Sequence, residues 1–154
     1  MVTERSSRMS RLDPEGRADP IERLIVQFHG HCGPWVALGY RMGRLARDAL
    51  SSPGYFDLEA EVETSAEPPH SCLIDGVQLG SGCTPGKANL RTRVGEPATA
   101  VFRRRHRPGN GVSIRVRGEF VDGLEALVRS LGVEGAGTRV LGAPAADLFD
   151  LTSV

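Results

Sequence analysis

Two kinds of apolar spacing are mixed irregularly along this chain, and the mixture limits the folds open to it. Apolar residues recur at helical spacing near both ends, whereas the middle carries short runs with the alternation of half-buried strands. Helices and strands without strict alternation favour the α+β class over a repeating βα architecture. We therefore expect a single α+β domain with at least four strands.

Capping residues, proline and glycine mark the ends of the predicted helices. Asp19 and Pro20 are the N-cap and first residue of an opening helix. The apolar stripes predict four helices, which run from Pro20 to Phe28, from Trp35 to about Leu50, from Cys72 to about Leu79, and from Phe120 to Leu131. Ser71 is the expected cap of the third helix, and Gly132 is expected to close the fourth. Residues 145–151 are expected to form a short helical tail. Gly39 and Gly43, four residues apart, leave a groove where another backbone can pack closely.

The strand spacing falls between these helices. Strands are predicted over 56–63, 88–94, 98–104 and 111–117, and the turn at 108–111 makes the last two a hairpin. Residues 1–18 are polar, rich in arginine and without periodicity, so we expect a disordered or loosely docked arm. Residues 19–154 form the expected domain.

Composition excludes several classes of function. The 154 residues include 19 basic and 19 acidic ones, so no global field attracts the chain to nucleic acid. The basic run at 103–107 lacks interleaved aromatic residues and indicates a solvated strand end. No apolar run is long enough to span a bilayer. Three cysteines form an odd set that suits a reducing compartment, and the cytoplasm is the expected location.

Two polar clusters gather the residues able to do chemistry. They span 28–35 and 70–89, and together they hold all three cysteines and three of the four histidines. In the first, His29, His31 and Cys32 lie at a helix break, and imidazole and thiolate bind zinc, nickel or copper. The alternative is structural: the histidines cap helix ends and Cys32 is a small buried residue. Trp35 is either a core residue or a ligand platform, and His70 is expected to be an exposed loop residue.

The second cluster begins on the predicted third helix. Cys72 lies in the first turn, where a thiol pKa tends to fall. Asp75 and Gln78 follow at intervals of one turn, so a thiol, a carboxylate and an amide share a face. Cys83 is a second thiol in the glycine-rich turn beyond. Because Cys72 and Cys83 lack CxxC spacing, dithiol redox chemistry is weakly supported.

The segment from Thr84 to Lys87 presents the chain's one lysine in a tight turn, although 18 other basic residues are arginine. It is not a P-loop, because Ser81 stands at the first glycine position and Ala88 follows where a hydroxyl is needed. The turn is expected to offer backbone N–H groups, Thr84 and Lys87 to some other anion.

The two clusters are expected to converge on one centre with three sets of roles. The catalytic set is Cys72, His31 and Asp75. The substrate-binding set is Lys87, Gln78, Trp35 and Thr84. The metal set is His29, His31, Cys72 and Cys83, with a divalent transition metal, zinc first, as the expected cofactor.

The two clusters, taken in order, resemble a known family. FHGHCGPWVALGYRMG (28–43) and CLIDGVQLGSGCTPGKANL (72–90) are similar to the two motifs of the FmdE-like family, which takes its name from formylmethanofuran dehydrogenase. The aligned residues are His29, His31, Cys72, Asp75, Gln78, Cys83 and Lys87. Many members read HGHxCPG, whereas Cys32 here stands one place earlier and Gly33 occupies the usual thiol position. No cysteine follows Cys83, so the resemblance covers the core domain without the C-terminal zinc ribbon that many members carry.

The resemblance implies a mixed sheet of about four to five strands flanked by helices, and a homodimer. We expect a metal- or thiol-dependent protein that binds a small molecule or cofactor precursor, with enzyme activity left open and cofactor or secondary metabolism as the setting. The alternative is a non-catalytic accessory protein, or a carrier of metal or cofactor, for a molybdenum- or tungsten-type oxidoreductase.

Overall fold

The computed structural model describes residues 19–107 and 109–154, and this part of the chain has the predicted α+β architecture. Its helices are α1 (Pro20–His29), α2 (Pro34–Ala49), α3 (Cys72–Ser81), α4 (Gly118–Gly142) and α5 (Ala145–Leu148). Its strands are β1 (Leu58–Thr64), β2 (Leu90–Val94), β3 (Thr99–Arg104), β4 (Gly111–Val116) and β5 (Phe149–Ser153). Single 3₁₀ turns cover Tyr55–Asp57 and Pro85–Lys87. The predicted arm at 1–18 lies outside the described residues.

The strands form one mixed five-stranded sheet, as expected, and their order is β2-β1-β3-β4-β5. β1 and β2 are parallel, and the remaining neighbours are antiparallel. A parallel pair needs a crossover connection, and α3 lies in the segment that supplies it here. The predicted hairpin of β3 and β4 is confirmed, although Pro108 of its turn is outside the described residues.

One face of the sheet is covered by helices. Leu58 and Val62 of β1 are fully buried, as are Phe102 of β3 and Ile114 of β4, and all belong to the core shared with the helices. Residues that alternate with these, including Glu59, point to the opposite face. No helix in the described part of the chain has the length and apolar character needed to cross a bilayer.

α2 and α3 pack backbone against backbone, which confirms the groove predicted at Gly39 and Gly43. A Cβ at Gly39 would collide with the carbonyl oxygen of Leu73, and one at Gly43 with the backbone at Ser81. The contact is mutual, because a Cβ at Gly76 of α3 would collide with the carbonyl of Val36. Only glycine permits this approach, and it fixes α3 against α2 along its whole length.

The predicted helix does break at Gly132, as expected, but a second helical run that was not predicted follows it. Gly132 has φ 76° and ψ 171° and kinks α4, but helical residues resume and run to Gly142. The glycine-rich second half has weak helix propensity. It is held by packing instead: Gly137 lies against the carbonyl of Cys32, and Arg41 of α2 donates to the carbonyls of Val140, Leu141 and Ala143 at 2.7–3.0 Å.

The predicted helical tail is only partly correct. One helical turn, α5, occupies Ala145–Leu148, but the chain then enters the edge strand β5. Phe149 pairs with Val116 of β4 and is buried. Pairing with the free edge of β4 therefore outweighed the local helical pattern after Leu148. The sequence pattern does not show this pairing, because the partner strand is distant along the chain.

Candidate functional site

The first polar cluster lies at the break between α1 and α2. α1 ends at His29 because Gly30 adopts a left-handed conformation with φ 102°, and α2 begins at Pro34. Gly33 leaves room for the imidazole of His31: a Cβ there would approach its Nε2 to 3.0 Å. The glycine at the position of the usual family thiol therefore gives the His31 ring its space.

His29 joins this break to α3. Its Nδ1 lies 2.7 Å from Oδ2 of Asp75, across 46 residues of chain. Gln78 donates to the other carboxylate oxygen of Asp75 at 3.4 Å. Because the carboxylate accepts, Nδ1 of His29 carries a proton, and in the neutral ring Nε2 keeps its lone pair. That Nε2 is buried and has no hydrogen-bond partner among the described residues.

A cavity of about 530 Å³ opens beside this junction. The first cluster, the loop before α3, and α4 form its walls, with Cys72 at the start of α3. Its lining is mainly apolar: His31, Gly33, Pro34, Trp35, Val36, Pro69, His70, Cys72, Val121, Leu124, Glu125, Val128, Arg129 and Val133. The rings of Trp35 and His70 lie 4.5 Å apart, centroid to centroid. The rings of His29 and His31 are similarly close, at 4.9 Å.

Cys72 is half-buried and lines this cavity together with His31. Burial raises the pKa of its thiol, and the nearby carboxylate of Asp75 raises it further. The predicted fall in this pKa was wrong, since burial and a negative neighbour outweigh the helix N-terminus. Ser71 occupies the N-cap position, but its side chain makes no capping hydrogen bond, which corrects a second expectation.

The other two thiols are buried. Cys32 is 4% exposed, and burial, followed by the negative charge of Glu22, Glu134 and Asp19, raises its pKa to about 12. Cys83 is fully buried, and burial raises its pKa as well. Cys32 therefore fits the structural alternative, a small buried residue in the core.

α3 separates the second cluster into two places. Cys72 begins the helix, whereas Cys83, Thr84 and Lys87 follow its last residue. Ten helical residues span about 15 Å. None of these three later residues lines the cavity of about 530 Å³. The structure thus brings His29, His31, Trp35, Cys72, Asp75 and Gln78 together, and it leaves Cys83, Thr84 and Lys87 at the far end of α3.

The far end of α3 forms a compact corner. Nζ of Lys87 lies 3.5 Å from Oγ1 of Thr84 and 5.8 Å from the ring centroid of Phe56. Asn89 is 3% exposed; its amide donates to the carbonyls of Tyr55 and Leu58, and its oxygen accepts from the Thr84 backbone N–H. These contacts explain the residues of this turn by their structural role, which is to hold the turn against the segment before β1.

The predicted metal ligands are not gathered into one group. Within residues 19–107 and 109–154, no cluster of three or more histidine, cysteine or acidic side chains is arranged to hold a metal ion. Cys83 lies beyond the last residue of α3 and is therefore separated from Cys72, which begins this helix. His31 and Cys72 are the members of the set that line the cavity. Metal binding stays a prediction.

Two parts of the cavity wall were not anticipated. His70, expected to be an exposed loop residue, is partly buried and lies against Trp35. The helix from Phe120 to Leu131 was predicted without any part in the site, yet the spacing of the α4 wall was visible: Val121, Leu124, Glu125 and Val128 recur at i, i+3, i+4 and i+7. The charged residue in that stripe was the available signal that this face also meets solvent.

Comparison with known proteins agrees with these motifs. The model of the family described as "FmdE, Molybdenum formylmethanofuran dehydrogenase operon" matches residues 28–150, and the chain belongs to that family. A protein from Archaeoglobus fulgidus, described as "Probable S-adenosyl-L-methionine-binding protein", is 39% identical over 117 residues. The match covers 71% of this chain but only 30% of the archaeal protein. The chain therefore spans less than a third of that relative's length.

Proposed function

We propose that this domain binds a small molecule in the cavity between the first cluster, the loop before α3, and α4. The observation that carries the proposal is the cavity itself: about 530 Å³, mainly apolar, with a thiol and imidazoles on its wall. Apolar cavities with a few convergent polar groups are the usual form of small-molecule sites. The tilted pair of Trp35 and His70 offers aromatic surface to a flat group of the ligand.

We assign the polar chemistry of the site to Cys72 and His31. The raised pKa of Cys72 keeps its thiol protonated at neutral pH, so it acts as a hydrogen-bond or proton donor unless a base removes the proton. His31 is the candidate base, because it lines the same cavity. Asp75 acts through His29, whose ring it orients at 2.7 Å.

A metal-dependent version of the proposal uses His31 and Cys72 as ligands, with the bound molecule filling other positions. The carboxylate of Asp75 on Nδ1 of His29 also matches the arrangement that commonly supports a metal-binding histidine. Catalytic zinc sites generally take three protein ligands. Metal content of protein purified without a histidine tag tests this version; about one zinc per chain, lost in Cys72→Ala and His31→Ala, is the result it requires.

The setting we propose is accessory to an oxidoreductase system, and the support is the family's operon description. In this role the domain carries a ligand or precursor and turns over nothing. S-adenosyl-L-methionine is a candidate ligand only through the name of the archaeal relative. The homodimer implied by the family resemblance belongs to the same proposal, and light scattering coupled to size-exclusion chromatography tests it.

The chain offers a direct probe of cavity binding, because Trp35 is its single tryptophan and lines the cavity. Aminoanthracene, a neutral flat dye that fluoresces in apolar surroundings, should bind and change the emission of Trp35. Val128→Phe fills the cavity and should weaken dye binding at least tenfold. Val94→Phe is the matched control, since Val94 is 76% exposed on β2 and lies outside the cavity lining.

The proposal fails if the parent protein does not bind the dye, or if the two phenylalanine variants bind it equally. Far-ultraviolet circular dichroism checks that both variants are folded. Cys72→Ser keeps the shape of the site and separates binding from chemistry. Unchanged dye affinity in that variant is expected, because the dye needs no thiol.

A further inference from the structure

The charged groups on the cavity wall are confined to its α4 side. Apart from histidines, the charged side chains among the described residues of the lining are Glu125 and Arg129. Both are solvent-accessible, with side chains 84% and 73% exposed, so they mark the mouth of the cavity. The wall behind them is apolar, with Val121, Leu124 and Val128 on the same helix.

Glu125 and Arg129 lie one helical turn apart, and their charges are only loosely engaged with each other. Nη1 of Arg129 is 3.9 Å from Oε1 of Glu125, which is longer than a charge-assisted hydrogen bond. An exposed pair of this kind contributes little to stability, so a ligand can take up both charges at small cost. The mouth therefore offers one negative and one positive group side by side.

From this arrangement we infer that the ligand has an α-amino-acid-like zwitterionic head at the mouth and an apolar or aromatic body in the cavity. An α-amino acid carries its ammonium and carboxylate on one carbon, so the two charges are adjacent, as Glu125 and Arg129 are. The carboxylate faces the guanidinium of Arg129, and the ammonium faces Glu125. The uncharged body lies among apolar residues and against Trp35, because burying a further charge there would leave it unpaired.

This inference rests on the proposed function, since it names the class of molecule that the same cavity takes. It assigns no role to Glu125 and Arg129 in bond making or breaking. Both act on the ligand's head group by charge alone. A single charged ligand would satisfy one of them and leave the other in solvent.

The test uses three matched ligands: biphenylalanine, the same molecule without its amino group, and the same molecule without its carboxylate. Each displaces aminoanthracene from the full chain, and emission of Trp35 reports binding independently. Biphenylalanine should bind about fivefold more tightly than either analogue, which is the upper range for an exposed ion pair. Glu125→Gln should abolish its advantage over the deaminated analogue, and Arg129→Gln its advantage over the decarboxylated one.

Arg93→Gln is the matched control, because Arg93 forms exposed ion pairs with Glu61 and Glu63 on the sheet and does not line the cavity. It should leave all three affinities unchanged. Equal binding of the three ligands by the parent, or equal losses in Arg93→Gln, overturns the inference. If aminoanthracene binds but biphenylalanine does not displace it, the head-group inference fails while cavity binding stands. If the dye itself does not bind, the proposed function fails as well.

Discussion

The two ends of α3 carry similar residues and differ in what surrounds them. At its start, Cys72 is half-buried beside an open cavity, and Asp75 reaches across to His29. Past its end, Cys83 is fully buried and the turn to Lys87 is tied down by Asn89. A thiol near a glycine-rich motif is thus a candidate for chemistry at one end and a packing element at the other. Exposure to a cavity separates the two, and residue type does not.

The largest expected effect tests the helix that holds the two ends apart. Gly76→Ala places a Cβ against the carbonyl of Val36, so α2 and α3 must separate and we expect a loss of about 4 kcal/mol in unfolding free energy. Gly123→Ala is the matched control. Its Cβ meets nothing within 4 Å in α4, and better helix propensity should stabilise the protein by about 0.5–1 kcal/mol. Equal effects in urea denaturation would contradict the close packing.

The next effect contrasts the two ends directly. Asn89 is buried, and Asn89→Ala leaves the backbone groups of Tyr55, Leu58 and Thr84 without its amide, so we expect a loss of about 3 kcal/mol. Asp75→Ala removes the short hydrogen bond from His29 and the long one from Gln78 at a part-exposed carboxylate, for which about 1 kcal/mol is expected. Thermal and urea unfolding measure both. A larger loss for Asp75→Ala would reverse the structural and functional assignments of the two ends.

The rate of thiol alkylation, measured against pH, tests the same difference between the two ends of α3. In the native protein, iodoacetamide should modify Cys72 first, because Cys32 and Cys83 are buried. The raised pKa of Cys72 means that its thiolate is scarce at pH 7 and grows about tenfold per pH unit. The rate should therefore still be rising above pH 9, where an ordinary thiol levels off. Mass spectrometry of peptides locates the adduct; rapid labelling of Cys83 at pH 7 would contradict the assignment.

The smallest expected effect concerns Lys87. Because it does not line the cavity, Lys87→Met should change aminoanthracene affinity less than about twofold. Its stability should shift by at most about 0.5 kcal/mol, as is usual for a substitution away from a buried network. A tenfold loss of ligand affinity would join the two ends of α3 into one site and restore the predicted substrate-binding role of Lys87.

Much of the fold could be predicted where the apolar periodicity agrees with nearby capping and turn residues. Asp19 accepts a hydrogen bond from the backbone N–H of Ile21 at 2.8 Å, as an N-cap should. The start of α3 at Cys72 and the extent of β3 also follow the pattern. The helical run after Gly132 was not predicted, and the strand after Leu148 was predicted as helix, because distant partners decide those segments. Arg41 and the Cys32 carbonyl support the second half of α4, and β4 supports β5.

The candidate site could be predicted only in part for the same reason. The spacing of Cys72 and Asp75 on one helical face was readable, because one turn of helix fixes it. Three features were not readable: the partner of Asp75, the tilted contact between His70 and Trp35, and the α4 wall. Each depends on how separate elements pack. The direction of the Cys72 pKa was mispredicted because helix position is a local property and burial is a tertiary one.

The sequence by itself determined the α+β class, the breaks on either side of α1 and α3, and membership of a family with two polar motifs. Those features depend on hydrogen bonding and spacing within a few residues. Only the tertiary structure decided that the two motifs meet at one end of α3, with Cys83 and Lys87 left at the other. The reason is the glycine contact between α2 and α3, which sets the position of a rigid helix whose ends lie about 15 Å apart.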